Sequence, residues 1–88
     1  MIGVYIPASP ITEEQYRRLD ERVTAAGLPE GLKLHTCFRE GDGLAVFDVW
    51  DSKEAFDAFG ERLMPAAGEL GLTISTPVFV EMIAFDMP

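Results

Sequence analysis

Two side chains in this sequence, His35 and Asp48, could together move a proton. His35 is the only histidine of the chain. A carboxylate that orients and partly charges a histidine makes its ring a general base or a hydrogen-bond donor to a bound oxygen. The same two residues could instead be a cross-strand polar pair that satisfies itself at an interface. Both interpretations remain open from the sequence.

Four further residues are candidates for binding a ligand beside this pair. Trp50 could stack on an aromatic ligand or fill a subunit interface. Arg39 could hold an anionic oxygen if it points inward. Cys37 is expected to be a small buried apolar side chain rather than a nucleophile, because no activating group other than the histidine is in prospect. Tyr5, on the first strand, has a polar tip that could reach the same cavity.

A β-hairpin would bring the histidine and the aspartate together. Residues 32–39 and 44–50 have the alternation and the β-branched and aromatic content of strands, and a glycine-containing turn joins them. With a two-residue loop at Gly41 and Asp42, the two side chains lie directly opposite each other. A loop shifted by one position places the histidine opposite the tryptophan on the same face, whereas a three-residue loop would reverse one strand.

Alternation divides this hairpin into two faces. The nearly all-apolar face is expected to pack against helices and comprises Leu34, Thr36, Phe38, Ala45, Phe47 and Val49. The mixed face is expected to be uncovered and comprises Lys33, His35, Cys37, Arg39, Leu44, Val46, Asp48 and Trp50. Such a mixture of apolar and ionisable groups is typical of a cavity or a subunit interface rather than of a surface turned to water.

The predicted elements are strands at residues 2–6, 32–39, 44–50 and 78–85 and helices at 12–26 and from about 52 to 64. Thr12 and Gln15 form a capping box at the first helix, and Pro65 is expected to end or kink the second near Met64, with another turn as an option before Gly71. The order β-α-β-β-α-β predicts an α+β, ferredoxin-like domain over residues 1–88. Its four-stranded antiparallel sheet would carry both helices on one face.

Composition narrows the functional classes. The chain has 88 residues, a formal charge of −8 and 48% hydrophobic residues. The negative charge disfavours binding to nucleic acid or to an anionic membrane. The apolar content is large for so small a domain, which favours an oligomer. One cysteine and one histidine offer neither a disulfide nor a metal-ligand spacing, so no metal site is expected. No cofactor is assigned. Without a signal peptide or an apolar run of 18 residues, a cytoplasmic protein is expected.

The segment from Asp48 to Phe56, DVWDSKEAF, with His35 before it and Phe59, Leu63 and Pro65 after it, resembles small actinobacterial proteins of the dimeric α/β-barrel superfamily, of the antibiotic-biosynthesis-monooxygenase (ABM) type. The resemblance implies a homodimer whose two sheets form a barrel, with a small-molecule pocket between sheet and helices of each subunit. His35 and Trp50 match the pocket-facing pattern of the close relatives.

Members of that superfamily include cofactor-free oxygenases of phenolic or quinol-like compounds, haem-degrading enzymes, chlorite dismutase-like haem proteins and muconolactone isomerases. Two departures from the family pattern matter. The close relatives often carry a second histidine in the last strand, where this chain has Met82 or its neighbours. The Asn-Trp-Tyr set of the better understood oxygenases is incomplete, since the chain contains no asparagine. Haem degradation is therefore a poor fit.

Two functional hypotheses follow. The first is a homodimer that binds a small aromatic or quinol-like compound and oxidises or isomerises it as a cofactor-independent monooxygenase or isomerase, with His35 and Asp48 as catalytic residues and Trp50, Arg39, Cys37 and Tyr5 as ligand-binding residues. The second is a non-catalytic dimerisation or ligand-sensing module.

Overall fold

The computed structural model describes all 88 residues, in the order β-α-β-β-α-β. The strands are β1 (Ile2–Ser9), β2 (Leu32–Glu40), β3 (Gly43–Trp50) and β4 (Val78–Glu81), and the helices are α1 (Glu13–Thr24) and α2 (Lys53–Glu69). The strands form one antiparallel sheet in the order β2-β3-β1-β4. The predicted ferredoxin-like fold is confirmed.

The β2–β3 hairpin has the predicted two-residue loop. Glu40 pairs with Gly43, and Gly41 takes a φ of 60°, a left-handed conformation that glycine adopts without a steric penalty. His35 consequently lies opposite Asp48. Turn chemistry therefore gave the register of the hairpin from Glu40 back to Leu34, beyond which a bulge pairs Leu32, and not Lys33, with Trp50.

The face assignment, in contrast, was wrong. Trp50 lies under α2, with its ring 5.7 Å from Phe56 and 5.3 Å from Phe59 between centroids. His35 lies under α1, where its ring is hydrogen-bonded to Tyr16. The mixed face of the hairpin is the one that the helices cover. The nearly all-apolar face carries no helix and is called the open face below, although Ala45 and Val49 on it are buried by their neighbours.

Strand β1 explains the reversal. It pairs with β3 so that Val4 lies opposite Asp48 and Ile6 opposite Val46, which places the apolar side of β1 on the mixed face. Val4 and Ile6 then form a buried cluster with Trp50 and a helix phenylalanine. The hairpin alone could not predict this arrangement, because β1 and β3 are distant in sequence and their relative register decides which sides combine.

The open face remains largely apolar. Phe38 is 40% exposed, Val78 47% and Val80 44%. Gly3 lies at the centre of this face, where an added Cβ would come within 2.9 Å of Phe47 Cζ and 2.8 Å of Val80 Cγ2. Glycine here lets two apolar side chains from neighbouring strands close over β1.

The first helix begins as predicted and the second is longer than expected. The Thr12–Gln15 capping box is present at α1. Ser52, rather than Asp51, caps α2 by accepting a hydrogen bond from the Ala55 amide. Helix α2 then continues through Pro65 to Glu69, although a proline removes one helical hydrogen bond. The packing of the following two alanines against Leu19 and Val23 of α1 holds the last turn in place.

Strand β4 is shorter than predicted. It ends at Glu81, which pairs with Ile2, and one further hydrogen bond joins the Met82 amide to the Met1 carbonyl. Residues 83–85 do not continue the strand because β1, its only neighbour, has no residues left to pair with. None of the helices has the length and apolar content needed to cross a membrane.

Candidate functional site

The polar residues of the covered face form one connected chain of hydrogen bonds. His35 comes from the edge strand β2, Asp48 and Trp50 from β3, and Tyr16 from α1. The hairpin register sets the first pair, and the alternation of β3 places its two residues on the same side of the sheet. Tyr16 reaches the pair from above, since the first turns of α1 cross over the end of the hairpin.

Asp48 is the centre of the chain. Asp48 is only 3% exposed. One carboxylate oxygen lies 2.6 Å from His35 Nδ1, and the other accepts a hydrogen bond of 3.3 Å from Trp50 Nε1. Because an ionised carboxylate can only accept hydrogen bonds, the Nδ1 of His35 carries a proton. Asp48 thereby fixes the tautomer of His35, and Nε2 is left as the proton-accepting nitrogen.

That nitrogen is in contact with Tyr16. The hydroxyl lies 2.5 Å from His35 Nε2, and the two rings are stacked with centroids 6.1 Å apart and planes 14° apart. Tyr16 shares an apolar stripe of α1 with Leu19 and Val23, and the sequence pattern did not single it out. The signal was available, since Tyr16 is the only member of the stripe with a polar tip, but it pointed to His35 only once the covered face was known.

The pKa values of His35 and Tyr16 are both raised, but for different reasons. The hydrogen bond from Asp48 raises the pKa of His35 and outweighs burial, which lowers it. Burial raises the pKa of Tyr16 well above its usual value, and the nearby carboxylate of Asp20 adds to the effect. Burial also raises the pKa of Cys37. Cys37 is thus a thiol at neutral pH, as expected for an apolar lining residue rather than a nucleophile.

A cavity of about 290 Å³ opens beside this chain of hydrogen bonds. Tyr16, Cys37 and Leu44 are among its lining residues, as are the two basic residues Arg17 and Arg39. Its size is at the low end of the roughly 300–1,000 Å³ typical of small-molecule pockets. The cavity therefore brings Cys37 and Arg39 together with the tyrosine that contacts His35.

A larger cavity, of about 490 Å³, lies elsewhere, between the loop after α1 and the start of α2. It is lined by acids such as Glu30, Asp51 and Glu54, with Arg62 as the only base. Arg62 already donates a hydrogen bond to the Val23 carbonyl. We place the candidate site at the smaller cavity, because only that one is lined by Tyr16, whose hydroxyl contacts His35 Nε2.

Comparison with known proteins gives a likeness in structure only. No protein-family model and no curated protein matches the sequence. A solved structure from Chloroflexus aurantiacus, provisionally described as an antibiotic biosynthesis monooxygenase, superposes with a TM-score of 0.68 at 13% identity over 98% of this chain and 96% of that one. A point mutant of SnoaB, a cofactor-independent oxygenase from Streptomyces nogalater, gives 0.65 at 21% identity over 96% and 93%. Rv0793 from Mycobacterium tuberculosis gives 0.62 at 17% over 98% and 96%.

The chain has an ABM-like fold. At these identities the likeness concerns the fold and carries no residue roles. The resemblance inferred from the sequence is confirmed at this level.

Two of the predicted ligand-binding residues lie away from the cavity of this ABM-like domain. Trp50 has no exposed surface, so it reaches a ligand only through its hydrogen bond to Asp48. Tyr5 lies on the open face, where its hydroxyl donates to both carboxylate oxygens of Glu40, at 2.7 and 2.5 Å. It is therefore not part of the site around His35. The expectation failed because Val4, and not Tyr5, lies opposite Asp48 in the pairing of β1 with β3. Tyr5 lies opposite Phe47 and is therefore on the other face of the sheet.

Proposed function

We propose that this protein binds a small phenolic or quinol-like compound in the cavity beside Tyr16 and removes a proton from it. The observation that supports this proposal is the hydrogen-bond chain from Tyr16 through His35 to the buried carboxylate of Asp48. A histidine with a fixed tautomer, a raised pKa and a neighbouring cavity has the properties of a general base.

The proton moves through Tyr16. The substrate hydroxyl donates a hydrogen bond to the Tyr16 oxygen, and the Tyr16 proton passes to His35 Nε2 as the substrate proton takes its place. Tyrosinate does not accumulate, because burial and nearby carboxylates keep the pKa of Tyr16 high. The imidazolium formed at His35 is stabilised by Asp48 at 2.6 Å. Loss of such a base typically lowers a rate by about 10²–10⁴-fold.

The substrate anion has two routes to product that need no cofactor in this proposal. Reprotonation at a carbon instead of the hydroxyl oxygen gives an isomer, the keto tautomer. Transfer of electrons from the anion to dioxygen gives an oxygenated product, in which an activated CH₂ group and O₂ become a ketone and water. Cofactor-independent oxygenation is the activity described for SnoaB, whose fold is similar.

The proposed assembly is a cytoplasmic homodimer in which two open faces meet as an α/β barrel. Partly exposed Phe38, Val78 and Val80 on that face are apolar side chains with no partner within the subunit. Contiguous apolar surface of this kind is typical of a subunit interface. Most of the cavity lining comes from α1 and the covered face of the same subunit, and only Phe38 is shared with the open face, so each subunit would keep its own site.

Oxygen uptake and product analysis test the activity. Wild-type protein is incubated with phenols, hydroquinones and anthrone, which carries an activated CH₂ group. We expect turnover with at least one class, a loss of about 10²-fold or more in His35→Gln, and a smaller loss in Tyr16→Phe, where Nε2 becomes accessible to substrate. Glu14→Gln, on the exposed side of α1, is the matched control. Unchanged turnover in His35→Gln would contradict the mechanism.

A non-catalytic module is the second candidate. It is favoured by the self-contained character of the site: no buried side-chain polar atom lacks a partner, and Tyr16 already occupies His35 Nε2. Such a module binds an aromatic ligand without converting it. Saturable binding by calorimetry, with no oxygen uptake and no isomer across the panel, would identify this function instead.

A further inference from the structure

The basic side chains of this acidic protein are almost all neutralised by contacts within the chain. Five form ion pairs, which are Arg17–Glu13, Arg18–Glu14, Arg22–Glu69, Lys33–Asp51 and Lys53–Asp57. A sixth, Arg62, donates to a backbone carbonyl. The seventh is Arg39, whose guanidinium has no ion-pair or hydrogen-bond partner. Arg39 is exposed, so its guanidinium is free to bind an anionic group.

Arg39 lies in the candidate site. It lines the same cavity as Tyr16 and Cys37. His35, Cys37 and Arg39 alternate along β2, so all three are on the covered side of this edge strand. Four residues of strand separate His35 from Arg39 by about 13 Å, and Cys37 lines the cavity between them.

The two ends of the cavity differ in charge. At the inner end, burial first and then the carboxylates of Asp20 and Asp48 raise the pKa of Tyr16, so an anion is disfavoured there. At the outer end lie Arg39 and the pair of Arg17 with Glu13, which are 3.7 Å apart and largely cancel each other. An anionic group is therefore repelled from the inner end and attracted to Arg39, whereas a neutral hydroxyl suits the hydrogen bond at Tyr16.

We propose that the ligand of this cavity is a hydroxy-substituted aromatic carboxylate, with its carboxylate on the Arg39 guanidinium and its hydroxyl at Tyr16. This assignment rests on the proposed function and narrows it to a substrate class. Arg39 then selects the acid against its neutral esters, because guanidinium and carboxylate make two parallel hydrogen bonds. It also fixes the direction of binding, so that the proton to be removed faces the base.

Matched pairs of ligands test the inference. Binding of 4-hydroxybenzoate and 6-hydroxy-2-naphthoate is measured by calorimetry against their methyl esters. We expect wild-type protein to bind at least one acid about five- to tenfold more tightly than its ester, a modest preference because the arginine is solvent-exposed. The preference should shrink as salt is added. It should vanish in Arg39→Gln and survive in part in Arg39→Lys.

Arg18→Gln is the control, since it changes the net charge equally and lies in an ion pair on α1. It should leave the preference unchanged. Equal affinity for acid and ester, or an equal loss in both glutamine variants, would overturn the assignment while leaving the proposed function intact. Tighter binding of the esters would do the same. If neither acids, esters nor the neutral phenols bind, the proposed function fails and this inference fails with it.

Discussion

The two faces of the sheet differ in a way that runs against a simple sorting of residues by hydrophobicity. The covered face contains a carboxylate that is 3% exposed and a histidine, whereas the open face presents Phe38 and Val80 at 40% and 44% exposure. Asp48 can be buried because His35 and Trp50 satisfy both of its oxygens. What decides burial is whether each polar group finds a partner, and the exposed apolar side chains of the other face are the basis of the proposed interface.

Truncation of a large aromatic on each face should show the strongest contrast. Trp50→Ala removes a side chain packed between two phenylalanines and should cost about 3–5 kcal/mol of unfolding free energy. Phe38→Ala, at a half-exposed site, should cost less than about 1 kcal/mol in the monomer. Urea unfolding at low protein concentration measures both. Similar losses of unfolding free energy would mean that the two faces contribute equally to the stability of the monomer.

Removal of the buried carboxylate comes next in size. Asp48→Ala leaves the indole N–H of Trp50 buried without an acceptor, so we expect a loss of about 1–3 kcal/mol at neutral pH. Asp48→Asn keeps an acceptor of the same shape and should lose less. Paired urea curves provide the measurement. If alanine and asparagine have the same small effect, hydrogen-bond satisfaction is not what keeps Asp48 in the core.

The open face should respond to charge through association rather than folding. Val80→Lys places a cation in the proposed interface and should weaken the dimer at least about tenfold, or roughly 1.4 kcal/mol. Met64→Lys, at a more exposed apolar residue of α2, serves as the control. Sedimentation velocity over a concentration series reports the dimer fraction. A wild-type protein that stays monomeric would refute the proposed interface directly.

The smallest effect is a pH dependence that belongs to the covered face alone. The pKa of His35 is raised in the folded state, mainly by the hydrogen bond to Asp48. Protonated His35 therefore stabilises the fold fully below the unfolded pKa of about 6.5, and this contribution is lost as pH rises through the folded value. As the pH rises from about 6 to 9, the unfolding free energy of the wild type should therefore fall relative to that of His35→Gln. If the unfolding free energy rises instead, burial lowers the pKa of His35 more than the hydrogen bond to Asp48 raises it.

Local chemistry allowed much of the fold to be predicted. The Thr12–Gln15 box, the two-residue loop at Gly41 and the pairing of His35 with Asp48 each depend on residues close in sequence or on strand alternation. The end of β4 could not be predicted in the same way. It depends on where β1 begins, since Glu81 pairs with Ile2 at the start of that strand.

Only part of the candidate site could be predicted, because the rest depends on pairing between strands that are distant in sequence. The pair in the hairpin was visible, but the side of the sheet on which it lies depends on the register between β1 and β3, which no short-range pattern encodes. Tyr16 could be assigned to the pair only once that side was known. An apolar count within the hairpin favoured the wrong face, because it gave no weight to the hydrogen-bond partners that allow Asp48 to be buried.

The central claim is that His35 is a tautomer-fixed base within reach of an aromatic ligand. Nitrogen-15 NMR of the single histidine tests it most directly, through a pH titration with and without a phenol. We expect the neutral ring to carry its proton on Nδ1, a pKa above about 6.5, and a shift of the Nε2 signal when the phenol binds. A proton on Nε2, a pKa at or below about 6.5, and no response to any phenol would contradict the account.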